Sequence, residues 1–266
     1  RPPRSTLFPY TTLFRSISMG TITVITSGKG GVGKSVFTAG LGYALAGRGR
    51  RVLLVDCDAG LRSLDYMLGI GEKLVFDLAD LVKGSCRPAD AVYESPVKGL
   101  YLLPAPLETE DVVSPRLMKP LIHAFAPYYD HIVIDCPAGF GRGFRAACAP
   151  AGRGIVVANT DPVCIRNSQK AGRLLREAGI QETRLVISRF SEKSFRRLNC
   201  FEDLDQVIDE TGLQLLGIIP EDLSVVEAVV HGKPIVNAKN APAAQAFGRV
   251  AARFEGENVP LLHFHN

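Results

Sequence analysis

Residues Gly28-Lys29-Gly30-Gly31-Val32-Gly33-Lys34-Ser35 constrain this chain more than any other stretch. An apolar, β-branched run (Thr21 to Thr26) leads into them, and a stretch of helical spacing (Ser35 to Ala46) leads out. A Gly-x-x-x-x-Gly-Lys-Ser segment between a strand and a helix reads as a phosphate-binding loop. Its glycines let backbone N–H groups curl around phosphate oxygens, with the positive end of the helix behind them. Lys34 is placed to reach the β- and γ-phosphates of a nucleotide, and the Ser35 hydroxyl to ligate Mg2+. The candidate nucleotide contacts are therefore Gly28, Lys29, Gly30, Gly31, Val32, Gly33, Lys34, Ser35 and Val36. The competing explanation is a glycine turn with no ligand.

Strand-like and helix-like segments alternate beyond the loop, which predicts an α/β fold: a mostly parallel, twisted sheet with helices on both faces. Strands are expected at Arg51 to Val55, Leu100 to Leu103, His131 to Asp135, Gly154 to Ala158, Arg184 to Ser188 and Leu215 to Ile219. Short helices are expected at Leu64 to Leu68, Phe76 to Val82 and Pro88 to Tyr93. Longer ones follow at Pro115 to Phe125, Pro162 to Glu177, Phe201 to Thr211, Leu223 to His231 and Ala243 to Phe254. Ligands in such sheets bind beyond the carboxyl ends of the strands. The glycine loop, Asp56 to Asp58, and Asp135 to Gly139 all fall at expected strand ends. Asp135 closes an apolar strand and is a candidate Mg2+ holder, acting through water because Mg2+ keeps much of its hydration shell.

Lys29 is the unusual member of the loop, since most side chains are tolerated there. Lys29-Gly30-Gly31-Val32-Gly33-Lys34-Ser35 resembles the deviant Walker A motif of the MinD/ParA family of dimerising ATPases. Ile132 to Gly139 and Leu53 to Asp65 also resemble family segments, the latter with Ala59-Gly60-Leu61 directly after Asp58, where partition-type members carry Pro-Gln-Gly. The resemblance runs from Met19 to about Phe254. It implies a P-loop NTPase fold of the SIMIBI class, and ATP and Mg2+ as ligands. A homodimer closed by ATP follows, with Lys29 touching the nucleotide of the partner subunit. Asp58 matches the residue that positions the attacking water, and Asp56 the one that supports the Mg2+ shell. The catalytic set is then Lys29, Lys34 and Asp58, and the metal set Ser35, Asp56 and Asp135. The family places adenine near two later segments, which nominates Ser188, Arg189 and Pro220, though each also suits an ordinary loop. Val36 stands where a second hydroxyl is usual, and Ser63 where Asn is usual. The function implied is a slow, partner-stimulated ATPase switch for spatial placement of the division site. Its partner is a protein activator or effector, and it acts in the cytoplasm or peripherally at the inner face of the membrane.

Three alternatives from the same superfamily stay open: DNA partitioning, placement of flagella or another polar structure, and iron–sulfur carriage. Residues 1–18 have no amphipathic period and are expected to be a leader foreign to the fold, with Met19 the start of a single domain over 19–256. Without the leader's three arginines the net charge falls from +4 to +1, which argues against nucleic acid as a partner. Six cysteines with no C-x-x-C pair suit reduced, mostly buried thiols and argue against a cluster carrier. The tail, 257–266, has no Lys or Arg and contains Pro260. Membrane-surface helices combine an apolar face with cationic flanks, so this tail weakens the membrane expectation.

Overall fold

A computed structural model of the chain describes residues 19–107, 114–235 and 241–261. The expected leader, 1–18, and the last five residues of the expected tail, 262–266, lie outside the described residues. Five-residue runs such as Val52–Asp56 (β2) and His131–Asp135 (β5) are buried along their whole length. A strand buried on both faces cannot alternate polar and apolar residues, and such continuous apolar runs are what a parallel sheet requires. The other strands are β1 (Thr21–Ser27), β3 (Tyr93–Glu94), β4 (Leu100–Leu103), β6 (Arg153–Ala158), β7 (Glu182–Phe190) and β8 (Gln214–Pro220). They form one sheet in the order β3-β4-β2-β5-β1-β6-β7-β8, parallel throughout except for the short β3 at one edge.

Ten α-helices connect the strands among the described residues. They are α1 (Lys34–Gly47), α2 (Ser63–Met67), α3 (Leu78–Lys83), α4 (Pro115–Phe125), α5 (Arg142–Cys148), α6 (Pro162–Glu177), α7 (Glu192–Leu198), α8 (Leu204–Thr211), α9 (Leu223–Val230) and α10 (Pro242–Phe254). Among them α1 packs against α10 and α2, α2 against α9, α6 against α8 and α4 against α5. The Phe37 and Phe247 rings stack at 6.1 Å where α1 meets α10. No described helix is long and apolar enough to cross a membrane. All six cysteines are free, with Cys136, Cys148 and Cys164 buried and Cys200 exposed.

One sequence expectation fails outright. Pro88 to Tyr93 is not a helix: Asp90 folds back, its carboxylate accepting from the Arg87 backbone N–H and side chain, and closes a turn. Tyr93 then pairs with Leu102 as edge strand β3. The helix expected from Phe201 starts at Leu204 instead, because the Asp203 carboxylate caps it by accepting from Gln206 N–H at 2.8 Å. Helices α5 and α7 were not anticipated.

Candidate nucleotide site

The order of the sheet places β1, β5 and β2 side by side, so the glycine loop, Asp135 and Asp56 meet at one edge. Asp56 and Asp135 are direct neighbours in the β2–β5 pairing. Left-handed backbone at Gly31 (φ 77°) and Gly33 (φ 93°) turns the loop into the first turn of α1. A side chain at Gly33 would also meet the Ser188 hydroxyl at 3.1 Å. Gly28 packs so closely on α6 that a Cβ there would lie 2.6 Å from the backbone of Asn167 and Ser168.

Lys34 is buried and its ammonium donates to Asp135 Oδ1 at 2.8 Å, with Asp58 at 4.0 Å. Burial works against the ammonium, but the attraction and hydrogen bond of Asp135 outweigh it and hold the pKa above the ordinary lysine value. Burial, and then the Asp135 carboxylate, push Asp56 up to about 7. Asp58, half-buried at the mouth, is raised by burial, with Lys34 pulling the other way. Asp56 accepts from the backbone N–H of Asp58 at 2.9 Å and of Leu64 at 3.4 Å, which fixes the loop that carries Asp58.

The donor set fits a divalent cation. Two carboxylates, Asp135 and Asp58, lie within 4.0 Å of the Lys34 ammonium, Asp56 is the register neighbour of Asp135, and Asp135 Oδ2 is buried with no hydrogen-bond partner among the described residues. An orphaned carboxylate oxygen is costly unless something positive completes it.

A cavity of about 390 Å3 opens beside the loop. Its lining brings together Gly31, Gly33, Val36, Ser188, Arg189 and Pro220, all candidates from the sequence, and adds Phe37 and Val225. Arg189 sits in the left-handed region (φ 54°), and its guanidinium lies 3.5 Å from the Gly31 carbonyl. Val32, by contrast, is buried behind the loop. Lys29 is half-exposed and its ammonium pairs with Asp161 of its own chain at 3.1 Å. Hydrogen bonding from Cys164 N–H, and then Lys29, holds the Asp161 carboxyl below its ordinary value.

Residues 23–235 match the CobQ/CobB/MinD/ParA nucleotide binding domain. The chain belongs to this family. The septum site-determining protein MinD of Bacillus subtilis is 38% identical over 248 residues, covering 91% of this chain and 92% of that protein. MinD of Aquifex aeolicus, solved in a MinC:MinD cell division protein complex, superposes with a TM-score of 0.84 at 33% identity over 92% of this chain and 99% of its own. MinD of Pyrococcus horikoshii, solved with Mg-ADP, gives 0.80 at 32% identity over 89% and 96%. The family's nucleotide-binding fold is the architecture seen here. Two residues that sequence reasoning missed belong to the site. Asp161 holds Lys29, and Thr38 donates to Asp135 Oδ1 at 3.0 Å. Thr38 was discoverable, since it lies four residues after Lys34 and hence on the same helix face.

Proposed function

We propose that this chain is a MinD-like ATPase, which binds ATP with Mg2+, dimerises on it and hydrolyses it to ADP and phosphate. As a switch it acts in placing the cell-division site. The observation that carries the reading is the convergence of the glycine loop, the Lys34–Asp135 pair and half-buried Asp58 on one sheet edge, in a chain with MinD relatives along nine-tenths of its length.

Loop N–H groups and Lys34 bind and orient the phosphates, and the apolar wall of Val36, Phe37 and Val225 receives the base. Ser35, Asp56 and Asp135 would hold Mg2+, which when bound neutralises phosphate charge. Asp58, close to Lys34 yet reachable by water, orients the attacking water in line with the γ-phosphate. Lys29 adds its charge to the partner's triphosphate, leaving Asp161 to do so. A lysine that must come from a second subunit makes turnover slow until dimers form and an effector protein engages them. Contact with the inner membrane face is the remaining part of this reading.

Solution mass with ATP under non-hydrolysing conditions tests the core of it. Mass is expected to double with ATP and stay monomeric with ADP, and Lys29→Ala is expected to remain monomeric in both. A wild-type chain that stays single when saturated with ATP would overturn the switch. Adding anionic vesicles to the same samples tests the membrane part, which fails if the ATP form does not sediment with them.

A further inference from the structure

Thr38 is fully buried, one turn beyond Lys34 on α1. Its hydroxyl has one proton and two acceptors in reach: the Lys34 carbonyl at 3.0 Å and Asp135 Oδ1 at 3.0 Å. The first contact is the back-bond that any helical threonine can make. The second crosses from α1 to the end of β5. A carboxylate is the stronger acceptor, so the proton belongs to Asp135.

Oδ1 of Asp135 therefore takes two donors from α1, Lys34 and Thr38, while Oδ2 takes none among the described residues. This asymmetry fixes the rotation of the carboxylate about its own axis and leaves one oxygen for a cation. Lys34 cannot be the permanent holder, because its ammonium is also the group that meets phosphate. The Thr38 hydroxyl has no such second duty. We infer that Thr38 is a positioning residue for the metal-holding carboxylate: it keeps Asp135 Oδ2 presented to the cation shell when Lys34 turns to the nucleotide. The inference rests on the nucleotide reading above and concerns the metal alone. Groups that orient a metal-holding side chain act on metal affinity much as ligands do.

The test is binding of a fluorescent ADP derivative to the full chain, once in EDTA and once across a MgCl2 titration. Thr38→Val keeps the shape and removes the proton, and Thr38→Ser keeps the hydroxyl. Thr38→Val is expected to raise the half-saturating Mg2+ concentration by about 10- to 100-fold, with affinity in EDTA changed by less than about twofold. Thr38→Ser is expected to stay within about threefold of wild type in both conditions. Thr38→Ala gives the same reading should the valine variant fail to fold, as thermal unfolding in EDTA will reveal. If Val or Ala weakens binding equally with and without Mg2+, or if Ser is as impaired as Val, Thr38 is a packing residue and the inference falls. A wild-type chain that binds no ADP in either condition sinks the proposed function instead.

Discussion

At the scale of single residues, the site is a problem of charge in a buried place. Lys34 and Asp135 each satisfy a partner that could not be left alone. Removing one member of a buried pair costs about 3–5 kcal/mol, whereas removing both can be nearly neutral. Lys34→Met and Asp135→Asn are each expected to lower apo stability by about that amount, and the double variant to recover most of the loss. Urea denaturation of the four proteins in EDTA measures it, and additive losses would show that the pair is not coupled. Lys34 and Asp135 were legible because loop spacing and an apolar strand end announce them. Asp161 was not, since an aspartate before Pro162 reads equally well as a helix cap, which it also is. Only tertiary packing brings it to Lys29.

At the scale of elements, α1 carries the loop and is held in place by α10. The seat is tight: a Cβ on Gly40 would lie 2.3 Å from the Phe247 ring. Aromatic rings in a close-packed interior move only by displacing neighbours. Gly40→Ala is therefore expected to destabilise the fold by about 1–3 kcal/mol despite alanine's better helix propensity. Phe247→Leu in the same chain is expected to relieve much of that loss. Urea midpoints decide, and a Gly40→Ala chain as stable as wild type would mean that α10 yields freely. Strands β2 and β5 were readable as unbroken apolar runs ending in aspartate, and α10 by an apolar face sustained over thirteen residues. Helices α5 and α7, of seven residues each, give too few turns to establish a period. The expected helix at Pro88 lost to a side chain, Asp90, that satisfies the backbone in a turn.

At the scale of the whole molecule, the candidate nucleotide site and the opposite end of the strands answer to different variables. At that opposite end His131 opens β5, its Nδ1 2.7 Å from the Thr21 hydroxyl and its ring 5.3 Å from Phe254. Glu255 joins this corner to α1 by pairing with Arg48 and Arg50, and lies 3.6 Å from His131 Nε2. Burial lowers the His131 pKa, more than Glu255 and Asp130 raise it, and Arg50 adds to the lowering. Burial also opposes the Glu255 carboxylate, but the hydrogen bonds of Arg48 and Arg50 outweigh it and hold its pKa below the ordinary value. Because His131 is lowered in the fold, the unfolded chain binds more protons between that lowered value and 6.5. The His131 contribution is thus complete above pH 6.5 and is lost as pH falls through that window. The slope attributable to one proton reaches at most about 1.4 kcal/mol per pH unit. Glu255 extends the loss at lower pH, as it protonates below 4.5. His131→Gln is expected to flatten the stability profile in the window just below pH 6.5. Bound MgADP at a hundredfold excess over its Kd adds about 2.7 kcal/mol. That increment is expected to leave the His131 part of the slope unchanged, because the proposed nucleotide site lies at the other end of the strands. Thermal unfolding of both chains across pH, with and without MgADP, checks this separation. A slope that His131→Gln does not alter would move the acid-sensitive group elsewhere, and one that MgADP abolishes would mean that the two ends of the strands are energetically joined.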